Sequence, residues 1–137
     1  MLNKVFVYGS LRTGMFNYDK YLKGEVLESY PGKIKGSLFH IENKGYPAII
    51  EGNSEILGEI FILKDFPKNI AVLDEMENFF SDNRDGSEYL RYIAQAQLSD
   101  GQTEQVYYYH YNSSAAVNTN DQLIPVYSGD WLEHMAG

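Results

Sequence analysis

Val5-Phe6-Val7-Tyr8-Gly9-Ser10-Leu11-Arg12 is an apolar run that stops at a Gly-Ser pair. Val5, Phe6 and Val7 are β-branched or aromatic and favour an extended backbone, while Gly9 has access to dihedrals that a Cβ disfavours. The stretch reads as a strand that breaks into a loop. Successive N–H groups in such a turn can converge on one point and form a nest for a carboxylate or an oxyanion, with the Ser10 hydroxyl beside them. Pattern alone also admits, and more often means, an ordinary strand and turn.

Composition sets the outer limits on what this opening can belong to. The 137 residues fit a single domain, 1–137, long enough to bury a core without disulfides or metal. With 44% hydrophobic and 22% charged residues the chain has a globular balance, and its apolar runs are too short to span a bilayer. The start lacks the basic and long apolar blocks of a secretory signal, and there is no cysteine, so the cytoplasm is the expected compartment. Without cysteine there is neither thiol catalysis nor a thiolate zinc site. A net charge of -8 and dispersed Lys and Arg argue against nucleic acid as a partner. Twelve tyrosines stand out, because a tyrosine ring packs as apolar surface while its hydroxyl bonds, which suits either a core or a pocket lining.

Downstream of the opening loop, Phe16, Tyr18, Tyr21 and Leu22 recur at helical spacing before Gly24. Glu25 to Ile34, with Val26, Leu27 and Tyr30 before a Pro31-Gly32 turn, and Gly36 to Ile41 are read as antiparallel partners. Pro47 sits at a strand start or edge, 51–54 is a turn, and Leu57 to Leu63 is the next strand. Glu88 to Leu98 and Thr103 to Tyr111 form a hairpin about Ser99-Asp100-Gly101-Gln102, with Tyr107, Tyr109 and Tyr111 on one face. Just before that hairpin, 78–87 is expected to be a mobile loop able to cover a pocket. Near the end, Asp130 or Ser128 caps a last helical turn that carries Trp131 inward.

The helix after Asp65-Phe66-Pro67 carries the second informative position. At about 100° per residue, Ile70, Leu73, Glu77 and Phe80 fall in one apolar stripe, while Glu75 lies opposite Leu73. Glu77 thus stands where an apolar side chain is expected. Burial there raises a carboxyl pKa toward the range of a general base, and Asp74 adds like charge or anchoring hydrogen bonds. A helix ending near Met76 leaves Glu77 exposed instead. His40, His110 and His134 are isolated in the sequence, so no metal site is expected, and the opening glycines match no phosphate or dinucleotide motif.

Taken in order, Tyr8-Gly9-Ser10-Leu11-Arg12, Gly45-Tyr46-Pro47, Gly58-Glu59-Ile60-Phe61, Leu73-Asp74-Glu75-Met76-Glu77, Tyr89-Leu90-Arg91 and Gly129-Asp130-Trp131 resemble the gamma-glutamylcyclotransferase-like family across nearly the whole chain. The resemblance implies an α+β fold, a small mixed β-barrel flanked by a few helices. It also implies a cofactor-independent enzyme that releases 5-oxoproline and an amine from a γ-glutamyl small molecule. Carried over residue by residue, it makes Glu77 the acid/base and Tyr8, Gly9, Ser10 and Leu11 the substrate-binding loop, with Tyr89 and Tyr109 as further pocket residues. The alternative is a binding module that keeps the pocket without turnover. The released amine and the oligomeric state are not readable from the sequence.

Overall fold

In the computed structural model, which describes residues 2–137, the order of elements is β1 (Lys4–Val7), a π-helical turn (Tyr18–Leu22), β2 (Val26–Ile41), β3 (Tyr46–Leu63), α1 (Phe66–Met76), β4 (Tyr89–Leu98), β5 (Thr103–Tyr111), a 3-10 turn (Ala116–Asn118), β6 (Leu123–Pro125) and α2 (Trp131–Ala136). Five strands close on themselves in the order β3-β1-β5-β4-β2, with β2 returning to β3 and β6 added outside on β2. The barrel is mixed. Strand β1 runs antiparallel to β3, with Val5 opposite Phe61, and parallel to β5, with Val5 opposite Tyr107.

Alternation along β1 divides the apolar side chains between two clusters. Val5 and Val7 join Leu73 and Ile70 of α1, whereas Phe6 and Tyr8 join Ile34, Ile56, Ile60 and Val106. A helix cannot pack inside so small a barrel, so the first cluster lies between the wall and α1 and the second fills the interior. Trp131 of α2 belongs to the interior set and is held by Asp130, whose carboxylate accepts from the N–H groups of Leu132 and Glu133. Asp65 caps α1 in the same manner, accepting from the Lys68 N–H, with Pro67 in the first turn.

The hairpin β4–β5 forms as expected except that β4 begins at Tyr89, one residue after Glu88, with Arg91 opposite Tyr109. The Pro31-Gly32 turn does not exist, because both residues lie inside the 16-residue strand β2. A Cβ on Gly32 would fall 2.6 Å from the Ile60 side chain, so this glycine admits the interior packing of β3 and does not reverse the chain. The expected turn at 51–54 is likewise an irregularity within β3, where the pairing jumps from Gly36 with Ser54 to Ser37 with Ile50. The segment 78–87 is stapled down and does not stand as an open flap. The buried Ser87 hydroxyl accepts from Phe80 N–H and donates to the chain, and Asn112 donates to the carbonyls of Arg84 and Ser87.

Candidate active site

Where β1 ends, the chain turns over a cavity of about 240 Å³ bounded by the Tyr8–Leu11 loop, Pro47 of β3, the end of α1, Tyr89 of β4 and Tyr109 of β5. Every residue that the sequence assigns to a site, namely Tyr8, Gly9, Ser10, Leu11, Glu77, Tyr89 and Tyr109, lines this one cavity. Phe80 does not. It is 43% exposed, while Phe79 is buried, because α1 stops at Met76 and Asn78 takes a left-handed φ of 53° that turns the chain out of helical phase. The early helix end therefore breaks the stripe without expelling Glu77, which is only partly accessible, through the cavity.

The opening loop is built to present its backbone. Arg12 pairs with Glu59 and with the α2 cap Asp130, each at 3.1 Å, and its N–H returns to the Gly9 carbonyl. Asn17 donates to the Ser10 hydroxyl at 2.7 Å, and the Tyr18 N–H donates to the Ser10 carbonyl. Among the described residues, the N–H groups of Gly9, Ser10 and Leu11 donate to no protein acceptor. These three N–H groups, on an anchored turn that lines the cavity, are left without a protein acceptor. Gly9 is required there for space, not for a positive φ, since a Cβ would lie 2.6 Å from Pro47.

Tyr8, Tyr89 and Tyr109 all line the cavity, and their hydroxyls are committed. Tyr8 donates to the Tyr109 carbonyl at 2.6 Å, Tyr89 to the Pro47 carbonyl at 2.7 Å, and Tyr109 to Asp74 at 2.7 Å. Asp74 also takes a 2.7 Å ion pair from Arg91. Burial pushes the pKa of all three phenols upward, so they stay neutral hydrogen-bond donors.

Glu77 differs from its acidic neighbours. Glu88 is buried, and although burial works against its charge, bonds from Lys44, Tyr46 and Asn78 outweigh that and hold its pKa below the ordinary value. Burial likewise raises Asp74 despite the opposing contacts of Tyr109 and Arg91. The Glu77 carboxyl has no hydrogen-bond partner among the described residues, and burial, then Glu88, then Asp74 raise it to about 8. The cavity thus contains one carboxylate that is fixed and charged, and one that is unpaired and poised to exchange a proton near neutrality.

Sequence reasoning missed the clamp around Glu88. Its partners lie at Lys44, Tyr46 and Asn78, and Lys44 also reaches Asn118 and Asp121 at 2.9 and 2.8 Å. Glu88 reads as the first residue of the β4 strand, and nothing near it in the sequence marks these partners. The histidines are not isolated in space, since His40 accepts from Trp131 and its ring lies 5.2 Å from that of His134, while His110 meets Glu51. Even so, among the described residues no three His, Asp or Glu side chains are grouped to hold a metal ion. Among the described residues no helix is long and apolar enough to cross a membrane.

Comparison with known proteins places this geometry in context. A Vibrio cholerae protein named "Putative gamma-glutamylcyclotransferase" is 30% identical over 78 residues, 57% of this chain and 64% of that protein, so the match spans less than two thirds of its length. The crystal structure of YkqA from Bacillus subtilis superposes with a TM-score of 0.68 at 25% identity over 98% of this chain and 41% of that one. An aig2-like protein from Mus musculus superposes with a TM-score of 0.62 at 20% identity, covering 88% of this chain and 84% of that one, which shows the shared barrel fold. The family model described as gamma-glutamyl cyclotransferase, AIG2-like, matches residues 5–133, from β1 through the α2 helix. That span takes in every wall of the cavity, and the chain belongs to the gamma-glutamyl cyclotransferase, AIG2-like family.

Proposed function

We propose that the protein is a cyclotransferase that converts a γ-glutamyl amine or γ-glutamyl peptide into 5-oxoproline and a free amine. The substrate supplies its own nucleophile. Its α-amine attacks the γ-carbonyl carbon, a C–N bond closes the five-membered ring, the bond to the leaving amine breaks, and one proton passes from the α-nitrogen to the departing nitrogen. Glu77 carries that proton, accepting it during attack and donating it during departure. The unused N–H groups of Gly9, Ser10 and Leu11 hold the α-carboxylate or the carbonyl oxygen as it gains charge. The neutral tyrosine wall keeps the bound chain folded into a near-attack shape, which makes the intramolecular step fast.

One observation carries this reading: an unpaired carboxyl with its pKa raised to about 8 shares one cavity with three unused backbone donors. Family membership supports the same chemistry. The test is to incubate the protein with a panel of γ-glutamyl amines and γ-glutamyl amino acids and to quantify 5-oxoproline. Release from at least one of them is expected. Saturable binding across the panel with no 5-oxoproline would assign the cavity to a binding module instead.

Asp74 acts on this step through Glu77. Asp74→Asn removes a negative charge and leaves the Arg91 guanidinium unneutralised, and both changes favour the charged form of Glu77. The acidic limb of kcat/KM against pH is therefore expected to move to lower pH. An unmoved limb would mean that another group sets it.

A further inference from the structure

We propose that Phe16 is the specificity residue for the leaving group, and that the site takes γ-glutamyl conjugates of neutral apolar amines in preference to those that release an amino acid. This rests on the cyclotransferase reading of the cavity. Phe16 lines the cavity and yet is 70% exposed, so its ring contributes little to the core. Its position is nonetheless fixed. The next residue, Asn17, bonds the Ser10 side chain at 2.7 Å, and the Tyr18 N–H bonds the Ser10 carbonyl at 3.2 Å. The ring is thereby carried on the same anchored turn that presents the donors for the glutamyl end. A large apolar side chain held open at the mouth of a ligand cavity gains its contact area from the ligand.

Charge points the same way. Lys44 is the one cation among the residues lining the cavity, and it is spent. Its ammonium reaches Glu88 and Asn118 at 2.9 Å and Asp121 at 2.8 Å, which uses all three of its donors. A leaving amino acid brings its own carboxylate. That group would meet no spare cation in the lining, and would face the charge of Glu88. A neutral aliphatic or aromatic amine incurs neither cost and covers Phe16.

The test is isothermal titration of the Glu77→Gln protein, which separates binding from turnover, with γ-glutamylbenzylamide, γ-glutamylglycine and L-glutamine. Benzylamide is expected to bind at least roughly tenfold more tightly than the glycine conjugate. Adding Phe16→Ala should weaken benzylamide by roughly tenfold more than it weakens L-glutamine, whose leaving group is ammonia. Equal or tighter binding of γ-glutamylglycine, no binding of benzylamide, or an equal Phe16→Ala effect on all three would overturn the inference. The two readings fail separately. Wild-type 5-oxoproline release without this preference sinks only the present inference, and the preference without 5-oxoproline sinks only the catalytic reading.

Discussion

Glu77→Gln is expected to lower turnover by roughly a thousandfold and, at the same time, to make the protein more stable in alkaline solution. The first effect follows from removing the one carboxyl lining the cavity that has no protein partner among the described residues, since Glu88 is clamped and nearby Asp74 is tied to Tyr109 and Arg91. The second follows from linkage. Burial raises Glu77 from the ordinary 4.5 to about 8, so its stabilising contribution is whole below pH 4.5 and is lost as the pH rises through 8. The groups around it do not offset that loss: Tyr8, Tyr89 and Tyr109 remain neutral, Glu88 and Asp74 repel, and Lys44 is engaged elsewhere. Glutamine is neutral throughout. The variant and the wild type should therefore unfold alike at pH 4 and separate above it, by roughly 5 kcal/mol at pH 9. Chemical denaturation at the two pH values reads this directly. A variant that loses both activity and alkaline stability would show Glu77 to be a structural residue.

The second large effect is expected at Gly9. A Cβ there would lie 2.6 and 2.9 Å from two ring carbons of Pro47, and Pro47 has little room to retreat. It pairs with His40 in the β2–β3 ladder, and its carbonyl holds the Tyr89 hydroxyl. The Gly9 turn must move instead, and the donors of Gly9, Ser10 and Leu11 move with it. Gly9→Ala should cost roughly 1–3 kcal/mol of stability and lower kcat/KM by about a hundredfold, a loss typical of ångström-scale misplacement. Activity and denaturation measured on the same preparation check both numbers. Wild-type activity in this variant would remove the turn from the reaction.

Much of this site could be read before any coordinates, for reasons that are local. Tyr8 to Leu11 announced itself because an apolar strand ended at a Gly-Ser pair, and Glu77 because Ile70 and Leu73 set a helical phase that still held one residue past the end of α1. Phe80 shows where that logic stops. The phase was extrapolated through Asn78, whose left-handed backbone rotates everything after it, and Phe79 became the buried ring. Pro31-Gly32 and 51–54 were misread because turn chemistry and the bends of a long barrel strand call on the same residues. Glu88 was invisible for another reason. Its pairing with Lys44 and Tyr46 spans more than forty positions, and no periodicity in a sequence encodes a contact of that range.

The proton held by Glu77 is the feature on which the site turns, and its titration can be observed in the free protein. With glutamate labelled at the side-chain carboxyl carbon, and the Glu77 signal assigned by its absence in Glu77→Gln, carbon NMR from pH 4 to 10 should show a midpoint at about 8. A midpoint near the 4.5 of an ordinary glutamate would contradict the account, because the carboxyl would then be solvated and charged at neutral pH.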